Sequence, residues 1–178
     1  MSGLRAQTQS QPIPARYNLS GDNLLIENDE SGGRRLTAEG NVHLVYTLGD
    51  DIWQLSAASV EYVESTVQNE IVAQEATASG DVEISGPGVT VSAPGIIDVD
   101  FLKRSLLSSG GHTIAQLRDG EITADSLEIV QTQSFLGVTD TTATTSGHTL
   151  ATYSLGQVTP VLTRDQGVSD GGIFGSLN

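Results

Sequence analysis

The chain contains no cysteine, which excludes a disulfide framework, a thiol nucleophile and a thiolate metal site. Cations are scarce: 8 Lys and Arg stand against 22 Asp and Glu among 178 residues, a formal charge of −14. A surface that tracks nucleic-acid phosphates needs clustered cations, so this balance opposes nucleic-acid binding. The three histidines, His43, His112 and His148, lie far apart with no metal-ligand spacing, and neither a metal nor a cofactor is predicted. A phosphate-binding Gly-rich loop and a nucleophile elbow are both missing. No apolar run approaches the ~20 residues of a membrane helix, and Met1–Ala15, with Pro12 and Pro14, lacks the apolar centre of a signal peptide. Aromatics make up only 4% of the chain, so large rings are not expected to fill an interior.

What the sequence does have is internal repetition. Leu19–Ile26 (LSGDNLLI), Leu55–Tyr62 (LSAASVEY), Val91–Asp98 (VSAPGIID) and Ile122–Ile129 (ITADSLEI) share one pattern: apolar, Ser/Thr, tiny, any, small, apolar. Their second residues are 20, 56, 92 and 123, spaced by 36, 36 and 31. A second motif follows each copy. Leu36–Leu44 (LTAEGNVHL) matches Ala76–Ile84 (ATASGDVEI), with weaker copies at Leu106–Ile114 and Ala143–Ala151. The glycines of this motif are Gly40, Gly80, Gly110 and Gly147. Fixed motifs at variable spacing predict strands joined by turns of changing length.

Both motifs alternate with period 2, the signature of half-buried strands. In the first, the alternation changes parity midway, as between Ala57 and Val60 or Ala124 and Leu127. An inserted residue that re-aims side chains is a bulge or sheet corner, so a bend is expected in all four copies. Only Ser65–Ala78 has a composition compatible with helix. Turn signals stand at Gly32-Gly33, Gly49-Asp50-Asp51, Gly86-Pro87-Gly88 and Asp119-Gly120. The expectation is an all-β fold of about sixteen short antiparallel strands in four units, an open twisted β-jelly roll or, alternatively, a β-solenoid. Residues 1–16 are expected to be a flexible segment, 17–162 the jelly-roll domain, and 163–178 a tail or capping element.

The order and repetition of "LSAASVEYV" and "ITADSLEIV" with "LTAEGNVHLVY" and "ATASGDVEISG" resembles the repeat of the OstA/LptA-like family, the lipopolysaccharide-transport jelly rolls that include LptC-type relatives. The resemblance runs from about Tyr17 to Leu162. It implies a non-catalytic periplasmic domain, not an enzyme, whose V-shaped interior shelters acyl chains of lipopolysaccharide or a related glycolipid on the way to the outer membrane. It also implies unpaired end strands that join other jelly-roll components, or further copies in a homo-oligomer, head to tail. Energy for transport would come from a partner ATPase. A periplasmic location would further imply that a targeting or anchoring segment has been removed.

Two residue sets follow. The groove candidates are Leu44, Leu55, Val60, Tyr62, Val82, Ile84, Leu127 and Ile129, for each of which ordinary core packing is the competing role. Arg34, Arg35, Lys103 and Arg104 precede equivalent second-motif starts and are candidates for steering a phosphorylated headgroup; solvated turn cations are the competing role. Trp53 reads as a packing anchor and His43 as solvent-facing. Asp98 with Asp100, or Glu61 with Glu64, could be drawn as a carboxylate pair, but Glu61, Glu83 and Glu128 are outward by alternation. The runner-up function is a self-assembling structural β-solenoid, bactofilin-like or adhesin-like, without lipid cargo.

Overall fold

A computed structural model describes residues 15–153, except residues 31, 69 and 134–138. Of the expected flexible segment 1–16 only Ala15 and Arg16, which open the first strand, and of the expected tail 163–178 none, are among the described residues. All regular elements within them are strands: β1 (Ala15–Ser20), β2 (Asn23–Asn28), β3 (Arg34–Leu48), β4 (Asp51–Val67), β5 (Glu70–Ser79), β6 (Val82–Gly86), β7 (Val89–Ala93), β8 (Ile96–Asp100), β9 (Ser105–Ser109), β10 (Thr113–Leu117), β11 (Gly120–Ala124), β12 (Ser126–Gln133), β13 (Thr139–Ser146) and β14 (Leu150–Tyr153). Among the described residues fourteen strands stand, where about sixteen are expected for the chain. The helix-compatible stretch Ser65–Ala78 forms the end of β4 and most of β5. Its Gln74, Ala76 and Ala78 are buried on alternate positions, and that period-2 burial decides against helix.

The fourteen strands build one antiparallel sheet that is best followed as eight long passes, each bent in the middle. The passes are β1–β2, β3, β4, β5–β6, β7–β8, β9–β10, β11–β12 and β13–β14, and each pairs only with the pass before and the pass after. The bends align into a crease that divides the sheet into two layers. Layer one holds β2, the first half of β3, the second half of β4, β5, β8, β9, β12 and β13. Layer two holds β1, the remaining halves of β3 and β4, β6, β7, β10, β11 and β14. The layers fold over one another as an open, twisted β-jelly roll, antiparallel throughout, unlike the parallel coils of a β-helix.

The second motif makes the crease. Gly40 and Asn41 both have left-handed φ (73° and 47°), as do Gly80 and Asp81 (79° and 49°). Glycine enters that region at no steric cost, and Asn and Asp tolerate it better than other side chains. The pairing of β3 with β4 jumps from Glu39↔Ser59 to Val42↔Ala57, so Gly40-Asn41 stand opposite Ala58 alone. That two-against-one arrangement is a bulge, and it turns the strand. Ala58 N–H closes the next corner on Gly80 C=O at 3.0 Å.

The parity slip expected in all four first-motif copies occurs in three. In β7–β8 the inward residues are Ala93 and Ile97, an even step apart, and Ile96 is exposed. Pro94-Gly95 adds a residue at that corner. Its second residue, Gly95, packs so tightly against Ser109 and Gly110 backbone that no Cβ would fit.

Leu36, Val42, Leu44, Leu55, Val60, Val82, Ile84, Val91, Ile97, Leu106, Leu127 and Ile129 from both layers meet in one core. The tiny third residues of the first motif, Ala57, Ala93 and Ala124, are buried where the layers converge. Contrary to expectation, rings do fill part of the interior: Tyr46, Trp53, Tyr62 and Phe101 are buried in it. The aromatics are few but concentrated.

Candidate functional site

The inner face is the candidate site, and all eight groove candidates lie on it. Leu44, Leu55, Val82 and Ile84 come from layer two; Val60, Tyr62, Leu127 and Ile129 come from layer one. Leu44, Leu55 and Ile84 stand side by side across three passes. All eight are at most 3% exposed, so in the closed fold they pack against one another as a core. Trp53 is a packing anchor, its ring lying on Gly86 where no Cβ would fit. His43 is exposed between Val42 and Leu44.

Among the described residues no strand covers the inner face at its N-terminal end. Leu24 pairs opposite Ala38 and Ile26 opposite Leu36; cross-strand partners share a face, and Ala38 and Leu36 are buried inside. Leu24 and Ile26 therefore point inward, yet are 48% and 55% exposed. Among the described residues nothing pairs with the far side of β1 or β2. At the opposite end the inner face is more polar: Thr145, Ala143 and Thr141 of β13 stand opposite Leu127, Ile129 and Gln131. Sequence reasoning passed over Leu24 and Ile26, although they close the first copy of the first motif.

Opposite the crease the layers meet along a mouth, where four polar bridges cross between described residues. Arg34 Nη1 donates to Tyr17 Oη at 2.8 Å. Tyr46 Oη donates to Gln74 Oε1 at 2.5 Å, and Gln74 Nε2 donates on to Glu64 Oε2 at 2.9 Å. Arg104 Nη2 meets Asp51 Oδ2 at 2.6 Å. Gln131 Nε2 donates to Pro87 C=O at 2.7 Å. Ring contacts run beside them, with Tyr46 stacked on Phe101 at a centroid distance of 4.1 Å and Tyr17 tilted against Tyr62 at 4.6 Å. Burial, assisted by Glu64 and Asp100, pushes the Tyr46 hydroxyl up to about 12; burial and Glu64 push Tyr62 up as well. Gln74 is committed to Tyr46 and Glu64, and the buried Tyr62 hydroxyl has no hydrogen-bond partner.

The four steering candidates do not converge. Arg34 faces inward and bonds Tyr17 and, through Nε, Asn28 Oδ1 at 3.3 Å. Arg35 faces outward beside Glu61 at 3.4 Å. Lys103 is exposed and held by Asp100 at 2.7 Å, which raises its ammonium above the usual lysine value. Arg104 is tucked between the layers against Asp51, each side chain about 15% exposed. Every one of the four already has a carboxylate or hydrogen-bond partner, and only Arg34 and Arg104 bear on the mouth.

The drawn carboxylate pairs are likewise engaged. Asp98 accepts from Thr77 Oγ1 at 2.7 Å, Asp100 holds Lys103, Glu61 faces Arg35 and Glu64 accepts from Gln74. At the last corner the backbone N–H and ring of His148 hold the Asp125 carboxyl below its usual range. Among the described residues no group of three or more His, Asp or Glu could hold a metal ion, and no helix is long and apolar enough to cross a membrane. No family model, curated protein or solved structure matches the chain.

Proposed function

We propose that the chain is a non-catalytic lipid-binding bridge domain of the periplasm. In this reading it shelters acyl chains of lipopolysaccharide or a related glycolipid along its inner face and joins like-folded partners through its end strands. The observation that carries the proposal is the half-exposed pair Leu24 and Ile26 on the inner face of an edge strand. Apolar surface left in water on the concave side of a sheet is surface that an acyl chain or another strand can cover. Complete burial of one such side chain is worth about 1.5–3 kcal/mol, and an unpaired edge strand is a template for further pairing. An aliphatic strip with few polar groups suits hydrocarbon.

The test is solvent extraction of the purified protein and mass spectrometry for acylated lipids, with photo-crosslinkers at Ile26 and Ile84. Glycolipid recovered near one per chain and crosslinked at Ile26 supports the carrier. A lipid-free protein that also refuses added lipid overturns it. One observation favours a second reading, the self-assembling structural module: the middle of the inner face is filled by its own side chains, and edge pairing then needs no cargo.

A further inference from the structure

We infer that the mouth is a latch: the Arg104–Asp51 ion pair, supported by three further cross-layer bridges, holds the two layers shut, and releasing it parts them laterally to uncover the inner face. The inference deepens the carrier reading and rests on it only for what the uncovered face would receive.

The four bridges are spread along the mouth rather than gathered at one point, engaging passes one to seven. Each sits well away from the crease: Tyr46 is five residues beyond Asn41, Arg104 six before Gly110, Gln131 six beyond Asp125. At ~3.3 Å per residue these are lever arms of roughly 15–20 Å. Backbone hydrogen bonds run within each layer and across the crease, so parting the mouth would break none of the ladder. The left-handed glycines of the crease are the natural place for the change of angle.

The chemistry of the mouth suits a latch better than a permanent seal. When the layers part, Arg104, Asp51, Gln74 and Gln131 exchange each other for water, so the mouth itself resists opening far less than a seam of leucines would, and the apolar core behind it is the larger cost. Arg104 also sits at φ 54°, a region disfavoured for a side chain of its size. The closed state leaves the Tyr62 hydroxyl buried and unpartnered, a penalty that opening relieves. The unpartnered hydroxyl raises the closed state at the mouth, while burial of the shared apolar core keeps that state the dominant one.

The absence of cysteine makes site-specific labelling direct. Spin labels on Asp50→Cys and Leu102→Cys, exposed positions on the rims of opposite layers, report the width of the mouth by pulsed electron resonance. A single narrow distance is expected for the full chain, with Arg104→Ala adding a longer population raised about tenfold, equivalent to ~1.4 kcal/mol. The charge swap Asp51→Arg with Arg104→Asp should restore the narrow distance. Should Arg104→Ala not fold, Asp51→Asn removes the same pair at nearly constant volume. An unchanged distance in a folded variant overturns the latch. Uptake of cis-parinaric acid, measured on the same proteins, is expected to quicken about tenfold as the mouth opens. Opening without any parinarate binding upholds the latch and overturns the carrier reading, so the two failures are distinct.

Discussion

Two buried tyrosines, Tyr46 and Tyr62, act in opposite senses on the energetics of the closed state. Tyr46 donates to Gln74, whereas Tyr62 is equally buried and donates to nothing. Tyr62→Phe should therefore stabilise the protein by about 1 kcal/mol or more, by removing an unsatisfied hydroxyl. Tyr46→Phe should destabilise it by a similar amount, because Gln74 loses a partner in the same dry setting. Urea unfolding of the two variants checks the opposite signs. The same hydroxyls make the fold alkali-sensitive. Tyr46 ionises near 10 in the unfolded chain and about 12 in the folded one, so its contribution is complete below pH 10 and lost as pH rises toward 12. About 2–3 kcal/mol should disappear over that window. Tyrosinate absorbance followed alongside circular dichroism would show a late ionisation phase that coincides with unfolding and is smaller in Tyr46→Phe, where Tyr62 remains.

At the scale of the element, the bent pass is the repeating invention, and the second-motif glycine is its hinge. A Cβ on Gly80 would meet Ala58 Cβ at 2.7 Å with φ at +79°, whereas Gly88, at φ +73°, has open space around it. Gly88→Ala should cost about 1 kcal/mol, from backbone strain alone. Gly80→Ala should cost clearly more, roughly 2–3 kcal/mol, because strain and collision add. Equal losses in denaturant melts would mean that the crease is not as tight as described. Much of this was readable beforehand. Period-2 alternation identified the strands, and the Gly-Asn and Gly-Asp pairs marked the second motif before their left-handed φ explained them. The third corner misled, since Pro94-Gly95 preserves parity and places Ile97 inside where the pattern favoured Ile96. Partners across the mouth left no local signal: Asp51 and Arg104 are far apart in the chain, and only the folding of one layer onto the other joins them. Aromatic content, read as an average, hid the gathering of Tyr17, Tyr46, Tyr62 and Phe101 at one place.

For the whole molecule, the two ends differ in chemistry. The first pass offers Leu24 and Ile26 on its inner side, while β13 offers Thr141, Ala143 and Thr145. Association through the first edge should accordingly be the more apolar, and Leu24→Lys with Ile26→Lys should abolish it. Sedimentation at rising concentration checks this: a species that grows in the parent protein and stays single in the double variant is expected, and growth in both would place the contact elsewhere. Such substitutions leave the buried core untouched, so stability should change little.

Sequential pairing, pass upon pass, also means that among the described residues the sheet does not return to its own beginning. A closed barrel has a circumference to satisfy and tolerates no change in strand number without a new radius. This trough has no such constraint. Adjacent passes are ~4.8 Å apart, so eight of them reach on the order of 38 Å, and gaining or losing one two-pass repeat would alter that reach by roughly 10 Å. Duplication within the sequence therefore acts as a ruler graduated in whole repeats, letting span evolve in fixed increments while each surviving corner keeps its geometry.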